Sequence, residues 1–238
     1  MTTANCHVSR IEHKPAGIEP DPFEFYVYLE TSIVNAQGEL IRSMGQGGGT
    51  CVARTDNGCM VLTVAHVCDG PEDARYYFED NPDRNWVITP STISERVFET
   101  AIIVEVSIPL DLCLLDIRGH FPPEGEINEI IMTADVQPFV RLISYGAPRG
   151  IFEEGPDWEL LKYEGDWTGF SSGYYISTTL PIRPGMSGSG ILLDNRLFSV
   201  VARYRADMPV YGIGVPPEMI AAFLEGNGVQ LEIYQPDE

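Results

Sequence analysis

From Phe23 onward, apolar and β-branched residues come in short runs, each closed by glycine, asparagine, aspartate or proline. FYVYLETSIV (25–34) runs into a turn at Asn35-Ala36-Gln37-Gly38, followed by ELIRSM. Gly45-Gln46-Gly47-Gly48-Gly49 leads into TCVAR, and Asp56-Asn57-Gly58 turns that run back into CMVLTVAHV. An Asn-Gly pair between two apolar runs is a strong hairpin signal. The same pattern predicts strands at NWVIT (85–89), ERVFETAIIVEV (95–106), LCLLDI (112–117), EIIMTA (129–134) and FVRLISYG (139–146). It predicts others at GYYISTTL (173–180), GILL (190–193), LFSVVARY (197–204) and VYGIGV (210–215). One helical pattern stands out, PEMIAAFLEG (217–226), with proline near its start and glycine at its end. Many short strands and few helices predict an all-β chain of antiparallel barrels. HFPPEGEI (120–127) has a linker's composition near the middle, so the division predicted is a barrel over 23–122 and another, with the helix, over 123–238. Residues 1–22, with Pro15, Pro20 and Pro22, lack periodicity and read as an N-terminal extension.

Composition narrows the function classes. With 44% hydrophobic and 21% charged residues, the 238-residue chain is globular and long enough to bury a core. No stretch approaches the roughly 18 apolar residues of a membrane span. The N-terminus MTTANCHVSRIEHKP lacks the apolar core of a secretory signal, so a cytoplasmic location is expected, with a virus-encoded protein as one source. Thirty-five acidic against 15 basic residues give a net charge of −20, which excludes a phosphate-backbone partner. The charge is read as solubility, with attraction of basic substrates or salty surroundings as sharper readings. Five cysteines, at 6, 51, 59, 68 and 113, form no metal-ligand pair at short spacing. Their odd count and the missing signal predict reduced, mostly buried thiols.

Three segments could carry chemistry. Val61-Leu62-Thr63-Val64-Ala65-His66-Val67 puts a histidine at the end of an apolar strand. Leu110-Asp111-Leu112-Cys113-Leu114-Leu115 sinks a carboxylate into an apolar run, where it needs a donor such as an imidazole N–H or backbone amides. Pro184-Gly185-Met186-Ser187-Gly188-Ser189-Gly190 flanks a serine with glycines that allow a tight backbone path and aim successive N–H groups at one point. Read singly, these are a packed histidine, a capped turn and a surface loop. Read in order, they are His, Asp and Ser, 45 and 76 residues apart.

That order resembles the chymotrypsin/trypsin-like serine peptidases. GGGTCVAR resembles the strand opening that family's histidine region, VLTVAHV its LTAAH-type motif and DLCLLDI its DLALL-type segment. LISYGAP resembles the IGYP strand and GMSGSGILL the GxSGG loop, while VYGIGVPPEMIAAFL is similar to the strand and final helix of HtrA-type and viral branches. The resemblance runs from about Gly47 to Phe223. It implies two antiparallel six-stranded barrels and a serine endopeptidase with a catalytic triad of His66, Asp111 and Ser187. The backbone N–H groups of Gly185 and Ser187 would hold the oxyanion. It further implies a polypeptide substrate, no metal and no cofactor. Activity is expected to fall as protonation of His66 removes the base.

Departures refine the expectation. Met186 stands where digestive members carry an aspartate that pairs with a freshly cut N-terminus, so activation of that kind is not expected. Ser189 replaces the second glycine of GxSGG and puts a second hydroxyl beside the nucleophile. By family position the primary pocket would lie near Thr179–Arg183, Val201–Arg203 and Gly212–Gly214, with Thr179, Pro181, Val201 and Arg203 as its substrate-binding residues. Pro181 falls about where trypsin has its pocket aspartate, so cleavage after Lys or Arg is not expected. Small or medium apolar side chains suit the pocket, or an acidic one if Arg203 faces it, although a solvated strand face is the simpler reading of Arg203 and Arg205. A disulfide between Cys51 and Cys68 would parallel the family's bridge, but Val67 shifts Cys68 by one residue, which in an extended segment reverses its direction; none is expected. His7, His13 and His120 read as surface residues. The rival reading is a catalytically silent fold of this kind acting as a protein-binding module. An α/β-hydrolase esterase is excluded because the G-x-S-x-G glycine is missing and the triad order is wrong.

Overall fold

The computed structural model describes residues 25–69, 83–91, 101–119, 127–147, 160–171, 175–205 and 208–235. The N-terminal sheet contains β1 (Tyr26–Asn35), β2 (Leu40–Thr55), β3 (Gly58–Thr63), β4 (Arg84–Ser91), β5 (Ile102–Ser107) and β6 (Leu112–Arg118). They run antiparallel in the order β4-β1-β2-β3-β6-β5. β2 is 16 residues long and changes register against both neighbours, at Thr31/Ser32 on β1 and at its own Cys51/Ala53. Bulges of this kind bend and coil a strand, which lets one strand serve both walls of a half-barrel. Across the gap from β4 to β5, the Ala101 N–H reaches the Ile88 carbonyl at 2.8 Å.

The second sheet contains β7 (Glu129–Ile130), β8 (Arg141–Gly146), β9 (Leu161–Ser171), β10 (Tyr175–Thr178), β11 (Gly190–Leu193), β12 (Arg196–Arg205), β13 (Met208–Val215) and β14 (Glu232–Ile233). Its order is β11-β8-β9-β10-β13-β12-β7-β14, and β11 also pairs with β12. Six strands therefore close into a barrel, with β7 and β14 as a short parallel tail. The tight β11–β12 turn is Asp194-Asn195, both with positive φ (48° and 67°), the twist a two-residue hairpin requires.

One core, including Phe25, Leu29, Leu62, Leu114 and Ile117, fills the N-terminal half-barrel and continues through Leu197, Val200 and Val215 to the C-terminal helix. A second, including Leu142, Trp167, Ile176, Ile191 and Phe198, fills the closed barrel. The helix is α2, after the helical turn α1 (Ala65–Cys68), and spans Pro217–Gly226 as its pattern predicts. It buries Pro217, Ile220, Phe223 and Leu224 on one stripe. Its stop signal lies two residues beyond the expected glycine. Gly228, at φ 77°, donates to the Glu225 carbonyl and Val229 to that of Leu224, which closes the last turn.

Several expectations are corrected. The strand predicted to run through His66 ends at Thr63, and α1 follows. EIIMTA yields a two-residue strand and then a 3₁₀ turn at Thr133–Asp135. The Gly45–Gly49 run lies inside β2. At the β2–β3 hairpin the turn is Asp56-Asn57, and Gly58 begins β3, where a Cβ would run into the Ile117 carbonyl of β6. β9 has no counterpart among the predicted strands. Residues 1–22, 95–100 and 120–126 lie outside the described residues, and with them Cys6, His7, His13 and His120.

The cysteine expectation is overturned most plainly: Cys51 is bonded to Cys59, and Cys68 to Cys113. All four are buried. Cys51 and Cys59 lie on the paired strands β2 and β3, 5.9 Å apart at Cα. Cys68 escapes the alternation argument because its segment is a helical turn, which points it inward to β6. Closing a loop with a sequence separation of 45 is worth about 4 kcal/mol in the chain-entropy account.

Candidate active site

His66 sits in α1, immediately after β3 leaves the sheet at the Thr63–Cys113 pair. Entering a helical turn removes the His66 N–H from the ladder, and Asp111 Oδ1 accepts it at 3.3 Å. The same carboxylate meets the ring, with Nδ1 at 3.0 Å from Oδ1 and 3.2 Å from Oδ2. A carboxylate only accepts, so Nδ1 carries the proton and Nε2 presents its lone pair. The His66 side chain is 45% exposed and that of Asp111 13%, so the ring opens to the cleft while its partner is shielded.

Asp111 reaches this position through an unusual backbone. It closes the β5–β6 turn, donating its N–H to the Ile108 carbonyl at 3.1 Å, with φ at 54°. A left-handed non-glycine residue costs about 1–2 kcal/mol, least for Asp and Asn. Here that conformation accompanies a carboxylate turned onto both donors of His66.

Ser187 lies on the loop between β10 and β11, at the seam of the two sheets. Its carbonyl accepts the Gly48 N–H of β2 at 2.7 Å, and the next residue, Gly188, donates to the Val201 carbonyl of β12 at 2.8 Å. The loop is thus held from both sides. Gly185 (φ 95°) and Gly188 (φ 87°) take conformations closed to most side chains. A Cβ on Gly48 would strike the Ser189 hydroxyl, and one on Gly188 would strike Thr63 Oγ1 and the Gly48 carbonyl. Thr63 is itself fixed, donating to that carbonyl at 2.7 Å. Gly188→Ala is therefore expected to cost about 3–5 kcal/mol, by strain plus a backbone clash. Gly169→Ala is the control, since Gly169 has φ 106° but a Cβ there would meet nothing within 4 Å; thermal melts should fall several degrees further for the first than for the second.

Met186, Gly188 and Ser189 each donate to a backbone carbonyl, whereas among the described residues the N–H groups of Gly185 and Ser187 have no acceptor. Ser189 is fully buried against Gly48 and Gly146, which removes it as a rival hydroxyl. Met186 is also fully buried and packs into the second core, its Sδ 3.4 Å from the Arg183 N–H. Nearby Tyr26, whose hydroxyl accepts the Ala147 N–H, has its phenol pushed well above the usual tyrosine range by burial.

His66, Asp111 and Ser187 line one cleft of about 490 Å³, together with Ile108, Ala202 and Arg203. No hydrogen bond joins the Ser187 hydroxyl to His66 among the described residues. Of the four expected substrate-binding residues, Arg203 lines this cleft. Val201 is 0% exposed and packs in the second core, its N–H and carbonyl both paired with the loop that carries Ser187. Thr179 is turned to β9, accepting the Asp166 N–H at 2.7 Å, and Pro181 is half-buried beside Ile182. Ile108, Tyr175 and the Gly48–Thr63 seat were missed in the sequence. Ile108 falls between predicted strands and Tyr175 inside one, and the Gly47–Gly49 run is the one signal that could have marked a close backbone approach.

Residues 47–202 match the model of the family described as the trypsin-like peptidase domain. No curated protein sequence matches the chain. Among solved structures, the fold is similar to that of the serine endoprotease from Yersinia pestis, with a TM-score of 0.60 and 15% identity over 86% of this chain. The chain spans 62% of the length of that protein. At such identity the likeness concerns the fold. The family match covers well over half of the sequence, and the chain belongs to the trypsin-like peptidase domain family.

Proposed function

We propose that the protein is a serine endopeptidase in which Ser187 is the nucleophile, His66 the general base and then acid, and Asp111 the residue that orients His66. The observation that carries this reading is the double contact of Asp111 with His66, ring and backbone, in the cleft that Ser187 also lines. With Nδ1 protonated, Nε2 takes the Ser187 proton as Oγ bonds to the scissile carbonyl carbon. The carbonyl electrons move onto oxygen, which the Gly185 and Ser187 N–H groups receive; each such donor contributes on the order of 3 kcal/mol. Collapse breaks the C–N bond, and the amine leaves with the proton from His66. Water, deprotonated by His66, then splits the acyl-enzyme and restores Ser187.

The test is reaction with a fluorophosphonate, with the labelled peptide mapped by mass spectrometry. Label on Ser187 in the wild type, absent from Ser187→Ala, is the expected result. A folded protein that takes no label would instead favour a silent fold that binds protein partners.

A further inference from the structure

β12 changes register at Val201/Arg203, so that Val201 pairs with Gly214 and Arg203 with Ile213, and Ala202 is the extra residue. The bulge leaves Val201 buried in the core and Arg203 exposed, lining the cleft shared by His66 and Ser187. The guanidinium is not loose. Nη2 donates to the Tyr175 hydroxyl at 2.9 Å, and Cζ lies 4.7 Å from the centre of the same ring. Tyr175 is half-buried at the start of β10, a strand hydrogen-bonded on both sides.

Among the described residues this cation has no anion. Arg84, Arg118, Arg141 and Arg196 each have a carboxylate within 4 Å, whereas Arg42 and Arg183, which do not line the cleft, have none among the described residues. Arg203 has none among the described residues, in a chain where acidic side chains outnumber basic ones 35 to 15. Its one polar partner among the described residues is the neutral Tyr175 phenol. A guanidinium has five N–H donors in a planar fork that matches a carboxylate, and the contact to Tyr175 uses one. Stacking on the ring has already removed much of the freedom that binding would otherwise cost.

We propose that Arg203 determines substrate specificity by holding the carboxylate of an Asp or Glu side chain next to the scissile bond; this rests on the peptidase reading of the cleft. The preference belongs to one position. The net charge of −20 repels acidic peptides at long range, but at physiological salt that field is screened beyond about 8 Å, whereas a contact at hydrogen-bond distance is not. Strings of acidic residues therefore gain nothing over a single one.

The experiment compares peptides carrying Glu or its neutral isostere Gln at each position flanking the cleaved bond. Two readouts are taken: kcat/KM with the active protein, and binding by fluorescence anisotropy with Ser187→Ala. The expected result is a Glu over Gln preference of roughly five- to ten-fold at a single position, in both readouts. Arg203→Ala should abolish it and Arg203→Glu should turn it towards Lys, with folding of both variants checked by circular dichroism. Tyr175→Phe, which keeps the ring and loses the hydroxyl, should weaken the preference without changing its sign. Equal values for Glu and Gln at every position would overturn the proposal, as would a preference that survives Arg203→Ala. The peptidase reading fails separately, by absence of fluorophosphonate label, because binding to Ser187→Ala needs no hydrolysis.

Discussion

Ser187→Ala should lower kcat by on the order of 10⁶-fold while leaving the melting temperature close to that of the parent. The hydroxyl is the only group removed, and none of the loop's holding contacts pass through it. Those run from the Ser187 carbonyl to Gly48 and from the Gly188 N–H to Val201, both backbone to backbone. Adding His66→Ala should cost little more, because a base without its nucleophile has nothing to deprotonate. Residual turnover on the order of 10³-fold above the uncatalysed reaction should remain, from binding and the two free N–H groups. Active-site-titrated peptide hydrolysis checks this. A loss of only ten-fold would mean that another nucleophile or a bound water attacks, and full additivity of the two changes would separate His66 from Ser187.

Asp111→Asn should lower kcat by about 10⁴-fold with a modest effect on KM. The substitution nearly preserves shape, and the amide oxygen can still accept the His66 N–H that Asp111 Oδ1 now takes at 3.3 Å. The amide nitrogen then takes the place of Oδ2, 3.2 Å from Nδ1, and being a donor it competes for the Nδ1 lone pair and favours the tautomer with the proton on Nε2. His66 would stay in place and point a hydrogen at Ser187 where a lone pair is needed. Positive φ at residue 111 should not add much, since asparagine tolerates the left-handed region as well as aspartate does. Rates measured across pH should be low throughout. A variant with near-parental kcat would remove Asp111 from the mechanism.

How far the fold could be read from the chain depended on whether one face of each element kept its period. α2 was legible to the residue because its apolar positions repeat at helical spacing behind two prolines, and GILL because it is apolar throughout. β9 was not legible. Its inward Tyr163, Gly165 and Trp167 alternate with Lys162, Glu164 and Asp166, and two glycines thin the apolar signal. Gly165 is small for a reason visible only in three dimensions, since a Cβ there would meet the Leu180 backbone nitrogen at 2.5 Å.

The candidate site residues stood out for the opposite reason. His66, Asp111 and Ser187 each interrupt an apolar or glycine-rich context that would pack better without them. The disulfides and the hold on Arg203 were hidden because both depend on departures from regular strand geometry. A helical turn at 65–68 moves Cys68 to the inside, and one bulge on β12 moves Arg203 to the outside. Alternation cannot be carried across either irregularity.

The Cys68–Cys113 bond joins the second residue after His66 to the second residue after Asp111. His66 and Asp111 are thus held twice, by hydrogen bonds that break and re-form freely and by a covalent link that does not. Thiol reductants would remove the second hold and spare the first, once local opening lets them reach two buried sulfurs. Bonds of this kind persist in oxidising compartments and are scarce where glutathione keeps thiols reduced. The pairing of His66 with Asp111 is therefore expected to report the electron balance of the surroundings, firm where cysteines stay oxidised and slack where they do not.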